Sequence, residues 1–188
     1  MRDVIKLGII LLIYSVVAGG ALGYVNIQTK PKITENKKAA ENSARAEVLP
    51  GADGGFEEKK SGDFTYLVGY KDASKTAVVG YIFLGKGKGY SSVIETLCGV
   101  GPDGKITGIK VVFQQETPGL GTQYVEKKFG ESDYWFYKQF VGKSSEDNLK
   151  VKKDGGIIDA TTGATVSPRA ITNSIKDGLI KLKDATGV

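Results

Sequence analysis

The sequence predicts an α+β protein: an N-terminal transmembrane helix followed by one domain with a mainly antiparallel sheet and flanking helices. Three observations carry that expectation. Residues 7–25 are uncharged and largely apolar, close to the roughly 20 residues a helix needs to cross a bilayer. Residues 64–113 hold four short β-rich runs, the last two joined by Pro102-Asp103-Gly104-Lys105, a strong hairpin turn. Near the C-terminus Ile171, Ile175, Leu179 and Leu182 recur at helical spacing, while Arg169, Lys176 and Lys183 fall on the wet side.

The apolar run exceeds the usual signal-peptide core of about 7–15 residues, which favours a retained anchor. Its small residues Ala18, Gly19, Gly20, Ala21 and Gly23 also resemble a cleavage region, so removal stays open. Gly19 and Gly23 have the Gly-x-x-x-Gly spacing that lets one membrane helix approach another. Orientation is ambiguous. Lys30, Lys32, Lys37 and Lys38 after the span outnumber Arg2 and Lys6 before it, yet large domains translocate despite such charges. The expected organisation is an anchor over 1–29, a connecting helix over 30–49 ending near Pro50-Gly51, and a domain over 50–188.

Within the domain, strands are expected at 64–69, 77–85, 90–100 and 106–113. Thr107, Ile109, Val111 and Phe113 alternate with Ile106, Gly108, Lys110 and Val112, as in a strand with one better-buried face. Lys86-Gly87-Lys88-Gly89 reads as a flexible turn, too short for a phosphate loop. Helices follow at about 122–129 and 134–141. The aromatic run from Tyr134 to Phe140 reads as core packing, or as a ring bordering a ligand or partner. At the last helix Ser167 is a good N-cap, and Pro168 suits the first helical position.

Composition excludes much. There is no histidine and a single cysteine, Cys98, set in an apolar run where a buried thiol is the default. An internal disulfide, a self-contained iron–sulfur cluster, familiar zinc sites and Cys–His or Ser–His catalysis are therefore ruled out. Redox chemistry would require an added cofactor. The net charge of +5 is dispersed in short lysine doublets with acids nearby, which argues against nucleic-acid binding.

The most informative stretch is Asp159-Ala160-Thr161-Thr162-Gly163-Ala164-Thr165, running into Val166-Ser167-Pro168. Gly163 and Ala164 allow close approach to the backbone, and Thr165 offers a hydroxyl at a helix N-terminus, where a phosphate is favoured. The letters Asp-x-x-Thr-Gly-Ala-Thr resemble the flavinylation signature of the FMN-binding domain family. That family includes the G subunit of Rnf complexes and the C subunit of sodium-pumping NADH:quinone oxidoreductases. A second segment, Gln115-Glu116-Thr117-Pro118-Gly119-Leu120-Gly121, resembles the family's Glu-Thr-Pro-Gly-Leu-Gly turn. Gln114 stands where relatives often have histidine.

The resemblance implies one FMN joined covalently to Thr165 by a phosphoester. It implies that a flavin transferase reads Asp159, Thr162, Gly163, Ala164 and Thr165. Thr162, Gly163, Ala164 and Val166 would meet the ribityl and phosphate end; Glu116, Thr117, Gly119 and Leu120 would meet the ring, with Tyr90 also lining the pocket. The implied function is electron transfer within a membrane-bound, ion-translocating ferredoxin:NAD oxidoreductase, beside other membrane subunits. The domain would lie on the extracytoplasmic side of the cytoplasmic membrane. Alternatives are the longer C subunit of the quinone oxidoreductase, another anchored flavoprotein, and a non-redox tethered binding module.

Overall fold

The computed structural model describes residues 2–119, 121–125, 134–160 and 163–188. Helix α1 (Arg2–Val48) opens the chain, and the chain divides into two compact units, residues 1–40 and 41–188.

The first unit is helical. It contains an 18-residue window of mean hydropathy 2.1, none of it buried, in a helix long and apolar enough to cross a membrane. Inside the apolar stretch the Ser15 hydroxyl donates back to the Leu11 carbonyl at 2.9 Å, a local satisfaction that a lipid environment demands. Beyond it the helix continues through Pro31, whose ring nitrogen lacks the N–H for an intrahelical bond.

The second unit is built on a five-stranded antiparallel meander in sequence order: β1 (Phe56–Ser61), β2 (Phe64–Tyr70), β3 (Val78–Lys88), β4 (Val93–Val100) and β5 (Ile106–Phe113). Alternation along the strands gives the sheet two apolar faces. On one, Phe83, Cys98 and Ile109 pack with Ile171, Ile175, Leu179 and Leu182 of α3 (Val166–Thr186). On the other, Ile82 and Leu97 pack with Ala44, Val48 and Leu49 from the end of α1 and just beyond. Helix α3 lies tightly on β3. A side chain at Gly85 would crowd Ser174, and one at Gly87 would run into the Ala170 carbonyl.

Strands β2 to β5 fall close to where the sequence places them, and so does the Pro102–Lys105 turn. The β4–β5 hairpin closes through Gly101 N–H to the Lys105 carbonyl at 2.8 Å, with Gly104 at φ +76°. Cys98 is fully buried. Strand β1, Phe-Glu-Glu-Lys-Lys-Ser, is not foreseen, because a charged edge strand shows no apolar alternation. The expected flexible turn at Lys86–Gly89 is corrected: β3 runs on to Lys88, paired with Val93, and the turn begins at Gly89. In β5 the simple alternation breaks. Register shifts opposite Glu95/Thr96 and Gly99/Val100 return Ile106 to the same face as Ile109 and Val111.

Two helix expectations also shift. The segment near 122–129 shows a 3-10 turn, Gln123–Val125, and residues 126–133 lie outside the described residues. Helix α2 is only Trp135–Lys138, and Gly142 at φ +78° ends the turn structure that follows it. Phe136 and Phe140 are fully buried, and Tyr137 nearly so, which makes this aromatic run core.

Candidate functional site

Three segments distant in sequence meet at one end of the sheet. They are the β3–β4 loop at Tyr90, the segment after β5 at Glu116, Thr117 and Gly121, and the start of α3 at Gly163, Ala164, Val166 and Ser167. Between them lies a cavity of about 230 Å³. A larger one, about 570 Å³, opens beside Arg45, Lys86 and Lys181, but none of the motif residues lines it. The smaller cavity is the candidate site, because independent motifs converge on it.

Strand pairing positions the first segment: Lys88 opposes Val93, and Gly89 N–H closes the loop on the Ser92 carbonyl at 2.8 Å. The second is a turn at Pro118-Gly119, with Gly119 at φ +74°, a conformation poorly tolerated by side-chain-bearing residues. Gly121 N–H donates to the Thr117 carbonyl at 2.9 Å, and the Thr122 hydroxyl accepts from Gly119 N–H at 3.0 Å. The third begins at Gly163, φ +85°, and enters α3 with Thr165 as the N-cap.

Glu116 ties the three together. Only 5 % exposed, it accepts at one oxygen from the N–H groups of Ser91 and Ser92, both at 3.0 Å, and from the Ser92 hydroxyl at 3.3 Å. The other oxygen accepts from Tyr90 N–H at 3.0 Å and from the Ser167 hydroxyl at 2.5 Å. Burial pushes this carboxyl's pKa up, but the Ser167 hydroxyl and the three N–H groups outweigh it and hold the group below its ordinary value. Gln114 supports the carboxylate from behind, its amide oxygen accepting from Glu116 N–H at 2.7 Å.

This corrects the reading of Ser167 as an N-cap. Helix α3 begins two residues earlier than that reading implies, and Ser167 is buried inside the first turn with its hydroxyl spent on Glu116. Thr165 makes no capping hydrogen bond and is half-buried, so its hydroxyl is not committed to the helix. Val166 and Gly163 are exposed beside it, and Tyr90 is 79 % exposed at the mouth.

Asp159 stands apart from the cavity lining. Its backbone N–H donates to the Gln139 side-chain oxygen at 2.7 Å, and its carbonyl accepts from the Gln139 amide nitrogen at 3.3 Å. Its carboxylate pairs with Lys152 at 2.8 Å and remains largely exposed, so it is presented outward. The predicted residues Thr162 and Leu120 lie outside the described residues.

Sequence reasoning missed the three-way Glu116 contact, the Gln139–Asp159 backbone bridge, and an Arg169–Asp154 ion pair at 2.5 Å beside the start of α3. The glutamate motif could have hinted at the first; nothing local signals the others. Among the described residues no group of acidic or sulfur side chains is arranged to hold a metal.

Residues 89–180 match the family described as the FMN-binding domain, and residues 1–48 match the RnfG N-terminal region. The chain is 34 % identical to the G subunit of the Na(+)-translocating ferredoxin:NAD(+) oxidoreductase complex of Acetobacterium woodii, over 93 % of this chain and 89 % of that one. It is 30 % identical to the G subunit of the ion-translocating oxidoreductase complex of Shewanella baltica, over 95 % and 89 % respectively. A crystal structure of Shewanella oneidensis NqrC superposes with a TM-score of 0.48 at 24 % identity, covering 68 % of this chain and 64 % of that one.

Proposed function

Because the chain belongs to the family of G subunits of ion-translocating oxidoreductase complexes, we propose that it carries one FMN, bound covalently at Thr165, as an electron carrier between other subunits of such a complex. The observation that carries this reading is that the residues flanking Thr165 (Gly163, Ala164, Val166 and Ser167) line one cavity with Glu116, Thr117 and Gly121, across more than forty positions of sequence.

The residues present fit the group. The Thr165 hydroxyl is free of a capping role, Gly163 opens the backbone beside it, and a side chain at Gly121 would crowd Glu116 and Ser167. A cavity of about 230 Å³ is smaller than most pockets that enclose a ligand, so a bound flavin would be only partly enclosed, which suits exchange of electrons with a protein partner. When bound, a flavin supplies one- and two-electron chemistry that no side chain here can perform.

In this reading Thr165 is a tether. Its O–H bond is replaced by an O–P bond, with net loss of one water between hydroxyl and FMN. Gly163, Ala164 and Val166 would border the ribityl and phosphate end, and Thr117 and Tyr90 the ring; the ligand roles of Thr162, Gly119 and Leu120 rest on the family resemblance alone. Glu116 keeps both oxygens occupied by the chain, so it acts by fixing the pocket wall and by placing a negative charge there. That charge opposes the gain of negative charge on reduction and favours a low potential.

The apolar helix anchors the protein in the membrane. The domain is assigned to the extracytoplasmic face, with a flavin transferase reading the exposed Asp159 and the residues through Thr165. Handling of ferredoxin, NAD and the translocated ion belongs to partner subunits. The test is intact mass after co-expression with a flavin transferase: one FMN less one water, lost in Thr165→Val together with in-gel fluorescence. Attachment that survives in Thr165→Val overturns the assignment and points to Thr161 or Thr162.

A further inference from the structure

Arg169 lies one helical turn beyond Thr165, and its N–H donates to the Thr165 carbonyl at 3.0 Å. Thr165 has helical backbone angles, φ −80° and ψ −22°, so the two residues share a face. Long side chains on a helix lean toward its N-terminus, the direction in which Thr165 lies from Arg169. The guanidinium is held by Asp154: Nε meets Oδ2 at 2.5 Å and Nη2 meets Oδ1 at 2.8 Å. The pair is about one-third exposed on both sides.

The inner side of the same turn already holds an anion. Glu116 is buried there against the Ser167 hydroxyl, so a second negative charge is disfavoured on that side. A phosphodiester on Thr165 brings one negative charge, and the outer side of the turn, where Arg169 lies, is where it can be balanced. Lys152, a neighbouring cation, is paired with Asp159.

We infer that Arg169 is the counter-ion of the phosphodiester formed at Thr165, leaving Asp154 for it when the flavin is attached. This rests on the Thr165 assignment above. The planar fork that grips the Asp154 carboxylate is equally suited to two phosphate oxygens. Asp154 is not stranded by the exchange, because it is accessible to water and Lys150 and Lys153 lie close enough to favour its charge. One exposed anion replaces another, so the switch costs little and needs no movement of the helix.

The experiment compares the full chain produced with and without a flavin transferase. The Arg169 Nε–H signal in the ¹H–¹⁵N spectrum, identified by its loss in Arg169→Lys, moves on flavinylation. It stays in place in Thr165→Val under both conditions. The ³¹P signal of the tethered phosphate shifts in Arg169→Lys but not in Asp154→Asn. An Arg169 signal that is the same in the unmodified and flavinylated chains overturns the inference while leaving the attachment intact. A wild-type chain without the added mass, or a Thr165→Val chain that keeps it, overturns the attachment and this inference with it.

Discussion

Replacing Glu116 by Gln keeps the shape and removes the charge, and its effect can be worked from the hydrogen bonds. With its oxygen turned toward Ser91 and Ser92, the amide retains the contacts made there. Its NH₂ group then faces Tyr90 N–H and the Ser167 hydroxyl. The hydroxyl can rotate to accept, but Tyr90 N–H is left opposite a donor. One stranded, part-buried N–H costs about 1 kcal/mol, and loss of charge weakens the bonds that remain, for a total of about 3 kcal/mol. For a domain of this size that corresponds to a fall in Tm of roughly 6–12 °C. Thermal unfolding of the unmodified chain measures it without a cofactor. The pH dependence supplies a second check. The folded-state pKa of Glu116 is held below its ordinary value, so its stabilisation is complete above the unfolded value of about 4.3. It is lost as pH falls through the lower folded value. The gap between wild type and Glu116→Gln should therefore hold from pH 7 to about pH 5 and narrow below about pH 4. A gap under about 2 °C at neutral pH, or one that persists undiminished in acid, would refute the clamp.

Three further outcomes are expected. Gly119→Val forces a β-branched residue to φ +74°, so flavin absorbance or potential shifts while the mass at Thr165 is retained; unchanged spectra would reduce the turn to a surface loop. Asp159→Asn removes the exposed carboxylate paired with Lys152 and should lower the fraction of chain flavinylated, read by intact mass, with stability changed by less than about 0.5 kcal/mol. A chain beginning near Lys30 keeps Ala44, Val48 and Leu49 and should yield a soluble, yellow, reducible domain that fails to support ferredoxin-to-NAD turnover in membranes. Full turnover by that truncated chain would remove the case for the anchor.

The parts legible in the sequence are those governed by local rules. Apolar alternation and the Pro-Asp-Gly turn announce β2 to β5, and the spacing of Ile171, Ile175, Leu179 and Leu182 announces the buried face of α3. What stayed hidden depends on partners far along the chain. Phe56–Ser61 becomes a strand only because β2 is there to pair with it. Gly87 is extended rather than a turn, paired with Ile94 and with Ala170 of α3 directly above it. At the site, the motif letters identify Thr165 and the Glu116 turn, but the work of Ser167 depends on a carboxylate 51 positions away. Local rules assign that serine to the helix cap, and tertiary structure spends its hydroxyl elsewhere.

The two outer strands determine how the sheet can meet other proteins. A meander leaves two open edges, and an open edge is a template for another strand. Along β1 the exposed Glu58, Lys59 and Lys60 put charge where an incoming strand would lie. At β5 the chain caps its own edge: Gly142 N–H donates to the Ile106 carbonyl and Ile106 N–H to that of Lys143, both at 2.8 Å. Farther along, the Tyr137 hydroxyl accepts from Val111 N–H at 3.4 Å. Assembly by strand addition is therefore discouraged at both ends. Subunits that exchange electrons with this domain must recognise it through side chains and loops, which can part and re-form without unpicking the sheet.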